Sequence, residues 1–278
     1  MYVIRASLIG LFALSSACSG NKPPHVEDAR RGVGDGSGSV VAPIDAPPAP
    51  EVKAPTTGDI SVRVQWEKVP REARVSPGTT SCNTPLTAQV SPSTTWGIGD
   101  VVVFVEGAPL RPVTEARVVA AACTLSPRVA VGTSLAIASG ADRPLKLSLA
   151  HEINAADLAK AREPARAVGL PIAGHEVTSA LAAGGIYRLS FDDKDKGDDA
   201  WVVSADAVIT DASGVVLIKD VAPGTHAIRA WLPARGKLPA HTAMGTIDVA
   251  AGELAELTLS FDQTVAKPTS GERGDGAP

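Results

Sequence analysis

Aromatic side chains are scarce, 4% of 278 residues, so a platform of stacked rings is not how this chain would hold a ligand. Trp66, Trp96, Trp201 and Trp231 are expected in the core instead. Basic clusters are missing too. The chain has 26 Lys and Arg against 30 Asp and Glu, a formal charge of −4. With no block of one positive sign, nucleic acid is not expected as a partner. No apolar run reaches the ~20 residues of a membrane-crossing helix. There is no G-x-S-x-G elbow. His151-Glu152 and His175-Glu176 start like the zinc motif HExxH, but they run on to Ala155 and Ser179. An enzyme is therefore not expected, although a hydrolase whose triad assembles from distant positions, around His151 or His175, stays as an alternative. His226 and His241 read as surface residues near turns.

What the chain does have begins at its N-terminus. Arg5 precedes an apolar run from Ala6 to Leu14, and Ser15, Ser16 and Ala17 lead into Cys18, the pattern of an export signal. This stretch resembles the lipobox of bacterial lipoproteins, with Ser15 where a larger aliphatic residue is usual. The resemblance implies lipidation of Cys18, loss of residues 1–17, and a lipoprotein anchored in the bacterial cell envelope and facing the periplasm. Ser19, rather than the aspartate of the usual retention signal, favours the outer membrane over the inner. Removing Arg5 leaves 25 basic against 30 acidic residues, a charge near −5. Cys82 and Cys123 then remain as a pair in an oxidising compartment, where a disulfide persists. Closing that loop would stabilise the fold by ~4 kcal/mol in the chain-entropy picture.

Residues 18–57 read as a Pro- and Gly-rich tether that cannot bury enough apolar surface to order itself. As a flexible coil it would span about 35 Å. Gly32-Val-Gly34-Asp-Gly36 inside it is no phosphate loop, because no strand precedes it. Residues 263–278 form a similarly polar tail. Between them short strands dominate. Ile60, Val62, Val64 and Trp66 alternate with polar residues, and Val101 to Val105 is an uninterrupted apolar run that predicts a strand covered on both faces. Leu145, Leu147 and Leu149 alternate again, and the segments 186–191, 201–205, 208–210, 215–218, 227–232, 247–250 and 257–261 continue the series. Asp211-Ala-Ser-Gly214 and Ala222-Pro-Gly-Thr225 supply turns. Ala155 to Val168 is the one stretch expected to be helical, with Asn154 as cap and Pro164 interrupting it. The fold class is all-β, as two sandwiches.

The order of landmarks is specific: Gly58-Asp-Ile-Ser-Val-Arg-Val-Gln-Trp66, Cys82 followed by Pro85, Gly99-Asp-Val-Val-Val-Phe-Val105, and Cys123-Thr-Leu-Ser-Pro-Arg-Val129 running to Val131-Gly-Thr-Ser-Leu-Ala-Ile137. Gly174-His-Glu-Val-Thr178 and Gly185-Ile-Tyr-Arg-Leu-Ser-Phe191 follow, and Ile209 to Trp231 is the strongest piece. It resembles exported bacterial proteins that join a cupredoxin-like sandwich to a carboxypeptidase-regulatory-like, transthyretin-like sandwich. The resemblance implies a cupredoxin-like domain over 58–204 and a smaller regulatory-like sandwich over 205–262. In copper-binding members two histidines and a cysteine, often with a methionine, hold the metal; the matching positions here are Lys146, Phe191, Lys194 and Val202, with no ligand left. No cofactor is expected.

Asp192-Asp-Lys-Asp-Lys-Gly-Asp-Asp199 does not suit calcium, since Lys194 and Lys196 would stand at ligand positions. Its carboxylates Asp192, Asp193, Asp195, Asp198 and Asp199 make it the candidate recognition loop. The expected function is a non-catalytic, lipid-anchored binding or scaffold module whose partner is another envelope protein or a surface polymer. A copper carrier using unaligned ligands is the alternative.

Overall fold

Alternating apolar and polar residues become strands along almost the whole described chain. The computed structural model describes residues 55–262 apart from 77, 81, 84, 87, 108–109, 111–113, 122, 162 and 193–197. They belong to the second of two units, which begins at Val52. Cys18, most of the tether, the tail, Asp193, Lys194 and Asp195 lie outside the described residues.

In chain order the elements are β1 (Gly58–Gln65), α1 (Arg71–Arg74), β2 (Val102–Val105), β3 (Glu115–Ala121), β4 (Thr124–Ser126) and β5 (Val129–Val131). Then come β6 (Ser134–Ser139), β7 (Leu145–Asn154), β8 (Arg166–Leu170), β9 (Glu176–Ala180), β10 (Gly185–Phe191) and β11 (Ala200–Ser204). The last are β12 (Ala207–Ile209), β13 (Val215–Val221), β14 (Gly224–Leu232), β15 (His241–Val249) and β16 (Leu254–Ser260). They form four sheets, ordered β13-β1-β16, β12-β2-β14-β15, β5-β11-β10-β7-β8 and β4-β3-β6-β9. The architecture is all-β.

Three apolar layers separate the four sheets, and strand parity decides which residue enters which layer. Ile60, Val62 and Val64 of β1 meet Val103 and Val105 of β2 and Ile228, Ala230 and Leu232 of β14 in the first core. The opposite faces of β2 and β14 present Val102, Phe104 and Trp231 to Ile186, Trp201 and Val203 of β10 and β11 in the second. The third core lies behind that sheet, where Leu147, Leu149, Leu189 and Val202 pack on Val118, Leu135 and Ile137 of β3 and β6. β2 and β11 are therefore buried on both faces, as an uninterrupted apolar run requires.

The expected boundaries need one correction. β1 pairs antiparallel with β13 and parallel with β16, and β2 pairs with β12 and β14. Residues assigned by resemblance to the first sandwich, from Gly58 to Val105, thus complete the second. The sandwich of β3–β11 is inserted between β2 and β12. The physical reason is burial: the apolar stripe of β1 finds its cover in β14 and β15 of the facing sheet, not in the inserted one.

The expected helix over Ala155–Val168 is absent. Leu158 N–H donates to Asn154 O at 2.9 Å, a single turn that ends when Leu158 takes φ 56°. The chain then returns as β8, which pairs antiparallel with β7. Ala155 is buried under the second core instead of starting a helical stripe. Among the described residues α1 is the only α-helix, one turn over Arg71–Arg74.

Candidate binding site: a paired-arginine pocket

Of the resemblance-derived positions, the three that are described do not share one face of the sheet. Phe191 stands opposite Leu147 and Val202 opposite Tyr187, so both face the third core. Lys146 lies between Leu145 and Leu147 on β7, points to the other face of the sheet and is exposed. Among the described residues no group of three or more His, Cys, Asp or Glu is arranged to hold a metal ion. His151 stacks on Tyr187 with ring centroids 4.8 Å apart. Its Nδ1 is 3.1 Å from Glu163 Oε1, an ion-pair distance without hydrogen-bond geometry. His175 is exposed ahead of β9 in the facing sheet.

Two other histidines are not the surface residues expected. His226 is buried, with Nδ1 3.2 Å from Glu106 O and Nε2 2.7 Å from Ala222 O. His241 packs on Trp66 at 4.4 Å, and burial pushes its pKa down. Trp66, Trp201 and Trp231 are core residues as expected, whereas Trp96 is exposed.

The described ends of the loop are tied to the protein, by backbone at Asp192 and by carboxylates at Asp198 and Asp199. Asp192 N–H donates to Lys146 O at 2.9 Å. Asp199 lies 3.7 Å from Arg188, which also pairs with Glu152 at 2.8 Å. Burial raises the Asp199 pKa; Arg188 opposes this, and Asp198 and Glu152 add to it. Asp198 reaches Arg128, and there the loop meets a pocket.

This pocket, about 310 Å³, opens where the two sandwiches meet. Its charged lining is Arg128, Arg235 and Asp100; Ala88, Ser91, Gly99 and Ala212 make small walls. Each side chain is placed by backbone hydrogen bonding. Arg128 precedes β5, and its carbonyl accepts from Trp201 N–H at 2.7 Å. Arg235 follows β14 in a tight turn closed by two bonds with Leu238, while Trp201 Nε1–H donates to Ala234 O at 3.0 Å. Buried Thr210 accepts from Val101 N–H and donates to Ile98 O at 2.8 Å, fixing the approach to Asp100. A Cβ on Gly99 would come within 2.9 Å of Asp211 O. Only glycine lets this wall close.

The cover over the pocket is the segment through Ala88 and Gln89. Arg128 Nη1 donates to Ala88 O at 2.9 Å and Arg235 Nη1 to Gln89 O at 3.0 Å. Val90 N–H donates to Ala73 O, tying the segment to α1. The Cys82–Cys123 disulfide, with Cα atoms 6.0 Å apart, pins its start to the turn before β4.

The two ion pairs differ. Arg128 Nη2 to Asp198 Oδ2 is 2.9 Å, with the side chains 19% and 21% exposed. Arg235 Nη2 to Asp100 Oδ2 is 3.3 Å, and Asp100 is 44% exposed against 12% for Arg235. Charge-assisted N–H···O bonds are normally 2.7–2.9 Å, so the second pair is loose. Burial lowers the Arg235 pKa; Asp100 opposes this, and the neighbouring Arg128 charge adds to it. Two desolvated cations face one space, and one of their counter-ions is held weakly. No residue signal in the sequence singles out Arg128, Arg235 or Asp100, because only the insertion of one sandwich into the other brings them together.

No family model, curated protein or solved structure matches this chain.

Proposed function

We propose that the protein is a non-catalytic binding module of the bacterial cell envelope, anchored through Cys18 and held off the membrane by its tether. The chemistry of the pocket supports this reading best. Its cationic groups are guanidiniums, which do not exchange protons at accessible pH and offer fixed donors rather than acid–base or nucleophilic chemistry. The carboxylates beside them, Asp100 and Asp198, are engaged by those arginines. Such a set recognises and orients a partner. The Cys18 anchor would keep that partner at the membrane surface, since two or more acyl chains give lasting attachment.

Two measurements test the reading. Metabolic labelling with a radioactive fatty acid should mark the full-length protein in the membrane fraction and leave Cys18→Ala unlabelled. Label retained by that variant overturns the anchor. Metal analysis after copper loading should find less than one copper per chain; a stoichiometric, intensely coloured copper protein overturns the binding-module assignment in favour of a copper carrier.

A further inference from the structure

We infer that the pocket between Arg128 and Arg235 receives a single carboxylate group of a ligand, which takes the place Asp100 occupies beside Arg235. This deepens the binding-module reading and rests on it.

Charge counting sets the ligand's sign and size. Arg235 and Asp100 form the loose pair, and their two charges cancel. Asp198 is held at full hydrogen-bonding distance in a mostly buried pair, so it stays. Asp100 is half in solvent at 3.3 Å, so it can turn outward into water and be hydrated there. Arg235, 12% exposed, is then left without its counter-ion, and one negative charge restores that balance. A carboxylate carries one negative charge and two acceptor oxygens, matching a guanidinium fork. A phosphate, which puts about −1.5 to −2 on one group near neutral pH, overshoots.

The walls set the rest. Ala88, Gly99 and Ala212 leave room for a compact group, and Ser91 adds a hydroxyl. None of these residues offers an aromatic face on which a sugar ring could stack. The carboxylate therefore belongs either to a small free acid or to a group pendant on an acidic polymer.

Asp100 also supplies the cleanest test. It has φ 58°, in the left-handed region, which asparagine tolerates better than most residues. Asp100→Asn thus keeps shape and backbone while removing the competing charge. Binding to full-length protein in detergent is measured by calorimetry at fixed ionic strength, with sodium acetate, sodium succinate, a polygalacturonate and inorganic phosphate as probes. Saturable binding of at least one carboxylate is expected, about tenfold tighter in Asp100→Asn, the worth of one charge-assisted hydrogen bond. Arg235→Gln should abolish it. Acetate or succinate binding without polygalacturonate binding identifies a free acid; polygalacturonate binding at far lower carboxylate concentration identifies a polymer.

Phosphate binding tighter than every carboxylate overturns the inference. So does carboxylate binding that Asp100→Asn leaves unchanged, or the absence of binding in both wild type and Asp100→Asn. Should Arg235→Gln fail to fold, the Asp100→Asn comparison decides alone. A null result with Cys18-dependent labelling intact removes this ligand and leaves the anchored binding module standing, so the two failures are separable.

Discussion

Arg229 and Arg235 leave neighbouring stretches of the chain, yet the fold treats them in opposite ways. Arg229, on β14, crosses the seam between the sandwiches and lies over the Phe104 ring at 4.9 Å. It donates to two neutral carbonyls, Ala155 O and Ala156 O. No second cation faces it in those contacts, and the apolar second core continues beside it. Arg235, just beyond the same strand, meets a second arginine, a loose carboxylate and an open pocket. The seam is a clamp along its middle and an open, charged pocket at its rim. A carbonyl acceptor holds a guanidinium without competing for its place, because it cannot leave. A half-exposed carboxylate can.

The comparison breaks most severely at Trp231. This side chain is 1% exposed and meets Trp201 edge-on across the seam, with centroids 5.5 Å apart. Trp231→Ala should cost about 3–5 kcal/mol by removing a buried aromatic from both sandwiches at once. The thermal midpoint should fall by about 10 °C, with the two sandwiches losing their cooperative transition. A single transition near the wild-type temperature would show that the sandwiches do not lean on this layer.

At the rim the expected effect is smaller and local. Replacing both cysteines, Cys82→Ser with Cys123→Ser, should lower stability by about 2–4 kcal/mol in the loop-closure picture. Amide exchange read residue by residue sharpens the contrast. Val90 N–H, bonded to Ala73 O in the pocket cover, should exchange faster by more than Trp231 N–H does. Equal acceleration at both sites would mean that the bridge stabilises the whole fold and not the pocket.

Much of the clamp is legible in the sequence, and none of the pocket. The unbroken run Val101–Val105 announces a strand with apolar neighbours on both faces, and β2 has them. Asp211-Ala-Ser-Gly214 announces a turn; Asp211 accepts from Ser213 N–H at 2.8 Å and Val215 N–H at 3.0 Å, and Gly214 takes φ 80°. The Cys82–Cys123 bridge follows from having two cysteines beyond the N-terminal one. By contrast β3 escapes notice because two of its three inward residues are alanines, Ala116 and Ala120, which carry little strand signal. Ala155–Val168 misleads for the same reason, since alanine spacing imitates a helix where tertiary pairing demands a hairpin. Arg128, Arg235 and Asp100 each sit in unremarkable local sequence. Their meaning comes from pairings between strands far apart in the chain, which no local pattern encodes.

The smallest effect concerns a third arginine, and it separates a paired rim from a competing one. Arg188 holds Glu152 at 2.8 Å and Asp199 at 3.7 Å, so two carboxylates share one cation, the reverse of the pocket. Burial raises the Asp199 pKa above 3.8 despite Arg188, with Asp198 and Glu152 adding to the rise. The folded state therefore holds the Asp199 proton more tightly than the unfolded chain does. Between pH 3.8 and the raised value the folded state binds more protons, so this group's contribution to stability declines as pH rises through that window. Above it Asp199 is ionised and mildly unfavourable. Asp199→Asn should remove that decline, which urea titrations of both proteins at a series of pH values would read as a difference curve falling with pH and then flat. Arg188 keeps Glu152 in the variant, so the ion pair that remains should tighten rather than fail. A difference curve that rises with pH instead would mean that Arg188 outweighs burial, and that Asp199 is a clamp residue after all.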